Sequence, residues 1–294
     1  MNRSLLGVLK RFKRVLPEET FLRIFYEYYL GRPLDLENPR EFTEKIQWMK
    51  LYFRDPRLPR LVDKYAVRAY VKKKVGARYL NRLFAVWDRV GEVDFTGLPD
   101  RFVVKAVHGC HFNILVPDRS EFSPRRAKLK LLRWSWKNQY WRGGLEWAYR
   151  DVAPRIIAEA FLDQPGSPVL VDYKFFCFGG EPRFVQVDIE RGIDDLRAYY
   201  DMKWRRQPFI TAGRANPLAG EAERPENFDE MVEVARELAD DLPFVRVDLY
   251  NLDGRIVFGE MTLYPGDGRR PFAPDEYNRR IGDLIELPAP TRGD

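Results

Sequence analysis

His108, His111, Cys110 and Cys177 are the only histidines and cysteines in 294 residues. Two thiols provide no disulfide framework, which fits a reducing compartment and a cytoplasmic location. Two histidines in one short loop support neither a Ser-His-Asp nor a Cys-His nucleophilic arrangement. Together with Cys110 they are too crowded to place three of the four converging ligands that zinc requires. No apolar run comes near the roughly 18 residues of a membrane span. Leu5-Leu6-Gly7-Val8-Leu9 is too short for a signal-peptide core and is followed at once by Lys10, Arg11, Lys13 and Arg14. Zinc-finger, RRM and basic heptad patterns are missing, so nucleic acid has no support beyond charge. A sugar-nucleotide transferase would use a D-x-D motif, and the nearest form is Asp188-Ile189-Glu190. No internal repeat or low-complexity segment stands out.

What remains is a globular composition, 45% apolar and 32% charged, with enough chain to bury one large core or two to three smaller ones. The net charge of +6 favours anionic partners. Residues 5–16, LLGVLKRFKRVL, form a basic amphipathic segment for which peripheral contact with an acidic membrane face competes with ordinary packing. Helices are expected over residues 18–30, from Asn38 as an N-cap with Pro39 at N1, and over 62–75, where Lys64, Arg68 and Lys72 make a basic stripe that solvation would explain. Strand character begins near Phe84. Residues 101–107 read as a strand containing Lys105, and His108-Gly109-Cys110-His111-Phe112-Asn113 turns it into Ile114-Leu115-Val116, an arrangement whose amides and ammonium suit a phosphate. Residues 124–150 carry four tryptophans among Lys and Arg, read as helix packing, a cover over a site, or a sugar platform. Strands follow at 155–162, 169–178 (with Asp172 and Lys174 on one face) and 183–189. Residues 199–225 give no strong signal. Helices are expected over residues 231–242 and 274–285.

Residues 244–268, FVRVDLYNLDGRIVFGEMTLYPGDG, are richest in chemistry. Val245, Val247 and Leu249 alternate with Arg246, Asp248 and Tyr250, the period of a strand with one apolar and one ionic face. Residues 256–263 alternate again, and Leu252-Asp253-Gly254 reads as a three-residue hairpin loop. That loop pairs Tyr250 with Ile256, Asp248 with Phe258 and Arg246 with Glu260. Asp248 and Glu260 then share a face as diagonal neighbours and can converge on a cation. The plain alternative is an exposed Arg246–Glu260 pair worth less than about 1 kcal/mol.

The lysine strand and this hairpin, taken with NPREFTEKIQWMKLY, DKYAVRAYV, LPDRFVVKAVHG, PRIIAEAFL and DYKFFCFGGEPRFVQVD, resemble the TupA-like family of the ATP-grasp superfamily over about residues 38–285. The family is named for teichuronopeptide biosynthesis. The resemblance implies an α+β ATP-grasp fold in which the nucleotide is held between two antiparallel sheets. It implies a helical N-terminal region (1–83), a central or lid subdomain (84–178), a C-terminal subdomain with a metal site (179–285) and a tail (286–294). ATP and Mg²⁺ are the implied cofactors. By the same resemblance Lys105 contacts the α- and β-phosphates, His108 and Gly109 belong to the phosphate loop, Glu159 lies in the strand framing the adenine, and Asp172 and Lys174 line the cleft. Asp248, Glu260 and Thr262 would hold Mg²⁺, Thr262 standing where many superfamily members have Asn. Arg246 matches the arginine two residues before the metal aspartate in D-alanyl-D-alanine ligases, and with Lys105 would supply catalytic positive charge. His111 stands where a glycine is expected.

The implied chemistry is carboxylate–amine ligation through an acyl phosphate, joining an amino acid or peptide to a uronic-acid-containing cell-surface polysaccharide or its precursor. An anionic glycan acceptor and an amine donor are thus the implied partners. Glycosyl transfer, phosphoryl transfer to a glycan hydroxyl, and nucleotide binding without turnover are the rival readings.

Overall fold

The period-2 segments become two antiparallel sheets that both line one cleft. The computed structural model describes residues 12–163, 170–191, 194–212 and 216–291. In it β1 (Leu83–Trp87), β2 (Phe102–Ala106), β3 (Asn113–Val116) and β4 (Ile156–Ala160) form the first sheet, in the order β1-β4-β2-β3. Strands β5 (Val171–Phe178), β6 (Glu181–Arg191), β7 (Asp194–Asp201), β8 (Ile210–Thr211), β9 (Asn216–Pro217), β10 (Phe244–Leu252), β11 (Arg255–Thr262) and β12 (Phe272–Ala273) follow. The second sheet runs β11-β10-β5-β6-β7-β9, and β8 pairs with β12. Only the short β7–β9 pairing is parallel among these strands.

Alternation in the first sheet sends Phe102, Val104, Ile156 and Ala158 into a small core shared with Ala127 and Leu131 of the helix Pro124–Ser135. The opposite face, with Lys105 and Glu159, is left to the cleft. Under the second sheet, Val245, Val247 and Leu249 pack with Met231, Ala235 and Leu238 of the helix Phe228–Ala239, in the larger core. The other face of the second sheet is divided. One end is aromatic: Phe176 and Phe244 are covered by Phe42, whose ring lies 5.2 Å from those of Phe244 and Phe272. Phe42 opens the helix Phe42–Tyr52, which packs on Glu276–Gly282 so closely that a Cβ on Gly282 would meet the Arg40 carbonyl at 2.2 Å. The other end is ionic.

Several expectations move. The helix expected from Asn38 begins at Phe42, with Glu41 and Glu44 forming its capping box. The helix expected over 62–75 is split into Leu58–Val62 and Val67–Lys74 around Asp63, whose carboxylate accepts from the amides of Tyr65 and Ala66. The irregular stretch after 199 begins inside β7. A boundary at 178/179 cuts the β5–β6 hairpin, so residues 171–178 belong with the second sheet. Residues 5–11 of the basic N-terminal segment lie outside the described residues. Lys13 is buried and donates to the Trp141 carbonyl at 3.0 Å.

Candidate active site

The hairpin that carries the two carboxylates differs in register from the sequence reading. Asp253 (φ 51°) and Gly254 (φ 83°) form a two-residue turn with both φ positive, and Leu252 pairs with Arg255. Gly259 is then an extra residue: Leu249 faces Phe258, but Asp248 faces Glu260 and Arg246 faces Thr262. The bulge leaves no room for a side chain, since a Cβ at Gly259 would lie 3.0 Å from the Asp248 carbonyl. Without it Glu260 would turn to the buried face beside Val247. The expected pairs Asp248–Phe258 and Arg246–Glu260 are therefore replaced by direct Asp248–Glu260 and Arg246–Thr262 neighbours.

Because β10 lies between β11 and β5, the ionic faces of several strands merge. Arg246 grips Asp248 through two hydrogen bonds, Nε to Oδ1 at 2.7 Å and Nη2 to Oδ2 at 2.6 Å, and Nη2 also donates to Thr262 Oγ1 at 3.1 Å. Thr262 in turn donates to Glu260 Oε1 at 3.3 Å. Next along, Lys174 bonds Asp172 and lies 3.0 Å from Asp188 Oδ2. Arg197 holds Asp188 at 2.6 and 3.0 Å. Burial pushes Asp248 up to about 7 against the pull of Arg246. Burial acts on Glu260 in the same sense, yet Lys64, Arg246, Lys174 and Lys105 together hold it below the ordinary glutamate range. For Asp188, burial is outweighed by Arg197 and Lys174, which bring it down to about 2.

These donors fit a magnesium ion. Mg²⁺ is usually held by one or two carboxylates with substrate phosphates completing its shell. Here two carboxylates and a hydroxyl stand side by side, and Asp172 Oδ1 is buried with no hydrogen-bond partner, a spare acceptor close by. Among the described residues no three His, Cys, Asp or Glu side chains converge as a cage.

The first sheet forms the facing wall. Lys105 Nζ donates to Glu159 Oε2 at 2.7 Å, and Arg68 holds the other oxygen at 2.7 Å while bonding the Asn81 carbonyl. Lys64 ties the walls together: its Nζ donates to the Gly109 carbonyl at 3.0 Å and lies 3.6 Å from Glu260 Oε2. The basic stripe expected to be solvated is thus partly drawn inward: Lys64 lines the cleft, Arg68 reaches Glu159 of its wall, and Lys72 is exposed. His108 does not join them. Its ring is buried against Phe112 with Nε2 on the Trp134 carbonyl, burial lowers its pKa, and Cys110 and His111 line the cleft in its place. Gly109 likewise contributes its carbonyl to Lys64 and does not line the cleft. His111 has φ 61°, so the residue found where glycine was expected does occupy a left-handed position.

The cleft between these walls measures about 600 Å³. Its far side is the loop Pro265–Gly268, left-handed at Gly266, Asp267 and Gly268 (φ 57°, 62° and 63°). Helix Phe42–Tyr52 grips that loop. The fully buried Lys50 donates to Asp267 O at 2.8 Å and to its Oδ1 at 2.5 Å, and Gln47 Nε2 bonds the Asp267 and Gly268 carbonyls at 3.0 Å. A side pocket of about 80 Å³ shares Lys174, Arg246, Gly266 and Arg270 with the cleft. Arg197, Gln186 and Thr211 complete its polar lining, which includes no acidic residue among those described. The sequence names Asp188 only as part of a failed D-x-D match and does not name Arg197, so neither is read as a residue of this site. β6 was recognised, but the pairing that brings β7 beside it was not.

Among solved structures, the chain is similar to D-alanine–D-alanine ligase from Bacillus anthracis at 14% identity, covering 69% of this chain and 57% of that one, with a TM-score of 0.43. It is similar to the ligase of the same name from Helicobacter pylori at 13% identity, with 85% and 68% coverage and a TM-score of 0.46. For N5-carboxyaminoimidazole synthase from Aspergillus clavatus the figures are 13% identity, 80% and 54% coverage, and 0.40. No curated protein matches the sequence. The family model described as TupA-like ATPgrasp matches residues 44–286, most of the chain, and the protein therefore belongs to the TupA-like ATP-grasp family.

Proposed function

We propose that the cleft binds Mg·ATP and that the protein is an ATP-dependent carboxylate–amine ligase, joining an amino acid or short peptide to a uronic-acid-containing cell-surface polysaccharide or its precursor in the cytoplasm. The observation that carries this reading is the pair Asp248 and Glu260, directly opposed on one wall of a cleft whose other wall presents Lys105. Asp248, Glu260 and the Thr262 hydroxyl would hold Mg²⁺, which when bound neutralises charge on phosphate oxygens. Lys105, oriented by Glu159, meets the α- and β-phosphates, and Asp172 and Lys174 continue the nucleotide wall.

The 80 Å³ side pocket, cationic and sharing Arg246 with the cleft, suits the substrate carboxylate. It is too small for a sugar ring with its substituents, so the rest of the substrate lies in the cleft. A carboxylate oxygen attacks the γ-phosphorus and ADP departs. The amine then attacks the acyl carbon, inorganic phosphate departs, and the amine loses a proton. Arg246, fixed by Asp248, is positioned to stabilise charge on the transferred group without reorganising.

Calorimetry with Mg·ATP and with a UDP-sugar, on wild type and Glu260→Ala, tests the first half. Tight Mg·ATP binding that weakens in the variant is expected, and UDP-sugar binding in place of ATP binding would overturn the reading in favour of glycosyl transfer. Release of free phosphate together with ADP, on adding a uronate and an amine, separates ligation from phosphoryl transfer, which leaves the phosphate on the acceptor.

A further inference from the structure

Helix Pro124–Ser135 carries two apolar stripes, and only one is used by the fold. Ala127 and Leu131 are buried behind the first sheet. Leu129, Leu132 and Trp136 are 51%, 48% and 85% exposed. Their i, i+3, i+7 spacing aligns them on a single outward face. Arg126, Lys130 and Arg133 run at i, i+4 and i+7 along one flank of that face, and Lys128 lies on the other. Residues 123–137 contain six Lys or Arg and no Asp or Glu. The acidic residues of the groove beside Arg126 and Lys130 are Asp118 and Glu121, and Asp94 lies near Lys128. Single exposed apolar residues are ordinary on any surface. Two leucines in register on one helix, with a tryptophan continuing their stripe at its C-cap and cations along the flanks, make the pattern of a helix lying in a membrane interface.

We propose that this face docks on an anionic lipid surface, with Leu129, Leu132 and Trp136 entering the boundary between headgroups and acyl chains and the flanking cations meeting lipid phosphates. A nucleic acid would engage the cations but gives the leucines nothing to bury against. The helix covers the face of the first sheet that carries Phe102 and Val104, opposite to that of Lys105, so docking leaves the cleft open. The inference rests on this surface and is independent of the ligase reading.

The test is co-sedimentation of the full chain, at low ionic strength, with phosphatidylcholine vesicles with and without phosphatidylglycerol. Binding only to the anionic vesicles is expected. A Leu129→Ser, Leu132→Ser, Trp136→Ser variant should lose roughly tenfold or more in partitioning, as three apolar side chains lose their burial. An Arg126→Ser, Lys130→Ser, Arg133→Ser variant should lose a similar factor together with most of the salt dependence. All six side chains are exposed, so wild-type melting temperatures should accompany both losses. No binding to anionic vesicles would overturn the proposal. So would undiminished binding by the first variant, which would move the contact elsewhere, for instance to residues 1–16. Equal binding of wild type and that variant to both polyuridylate and vesicles would mark a general polyanion surface and overturn it as well.

Discussion

On the second-sheet wall of the cleft the charges are matched inside the sheet face, Arg246 with Asp248, Lys174 with Asp172 and Asp188, and Arg197 again with Asp188, apart from Glu260, which Lys64 reaches from outside the sheet. On the first-sheet wall one carboxylate, Glu159, carries two cations, Arg68 and Lys105, and Lys105 keeps a quarter of its side chain exposed. The difference lies in what each wall needs from its charges. The second wall is a buried, balanced network in which losing one member strands another, so its residues serve the fold whatever they bind. The first wall holds an excess cation ready for an anion, so Lys105 can be removed at little structural cost.

Four experiments bear on that contrast. Arg246→Ala strands the buried Asp248 and is expected to cost about 3–5 kcal/mol in urea denaturation. A loss below about 1 kcal/mol would mean that the two walls do not differ in this way. Glu260→Gln keeps the shape of a side chain that is 39% exposed, so its stability should stay near wild type. If Glu260 holds Mg²⁺ as proposed, the variant's ATP turnover, read as ADP release, should fall roughly 10²–10³-fold through loss of an anionic ligand to the ion. Lys105→Ala should leave the melting temperature almost unchanged and weaken Mg·ATP binding by about 10–100-fold, the worth of a charge-assisted hydrogen bond. Calorimetry and a thermal melt on one sample check both halves.

The last effect is in pH. Asp188 is held down to about 2, below its unfolded value, so its pairing stabilises the fold above about pH 4 and is lost as pH falls through 2. Asp188→Asn should therefore be about 2 kcal/mol less stable at neutral pH and converge with wild type by pH 2. A stability gap that stays constant with pH would show that Asp188 acts by packing alone.

How far the site was legible depended on which features travel with parity. The hairpin register was misplaced, yet Asp248 and Glu260 were correctly put on one face. A three-residue loop without a bulge and a two-residue turn with a bulge at Gly259 each insert one residue, and a shift of two restores the same face. Asp172 and Lys174 share a face for the same reason, alternating within one strand, whereas Lys105 is marked by the small turn that follows its strand. Lys64 and Arg68 were visible as a basic stripe, but nothing local says that Glu159 and Glu260 stand opposite them. His108 was misassigned because the loop looks continuous in sequence, whereas Phe112 and the Trp134 carbonyl draw its ring into the core. Arg197 depended on the β6–β7 pairing, which is set by contacts and not by pattern.

The grip of Lys50 and Gln47 on Asp267 and Gly268 bears on how the chain can be divided. The far side of the cleft is anchored more than two hundred residues upstream in the chain, by side chains that have no exposed surface. A fragment beginning after Tyr52 would keep every strand of both sheets, yet it would leave the Asp267 carboxylate without its buried ammonium and the left-handed loop without its clasp. The smallest piece of this protein that can be expressed with an intact cleft therefore starts before Phe42. Cleavage between Tyr52 and the first sheet should leave two fragments that remain associated on a sizing column.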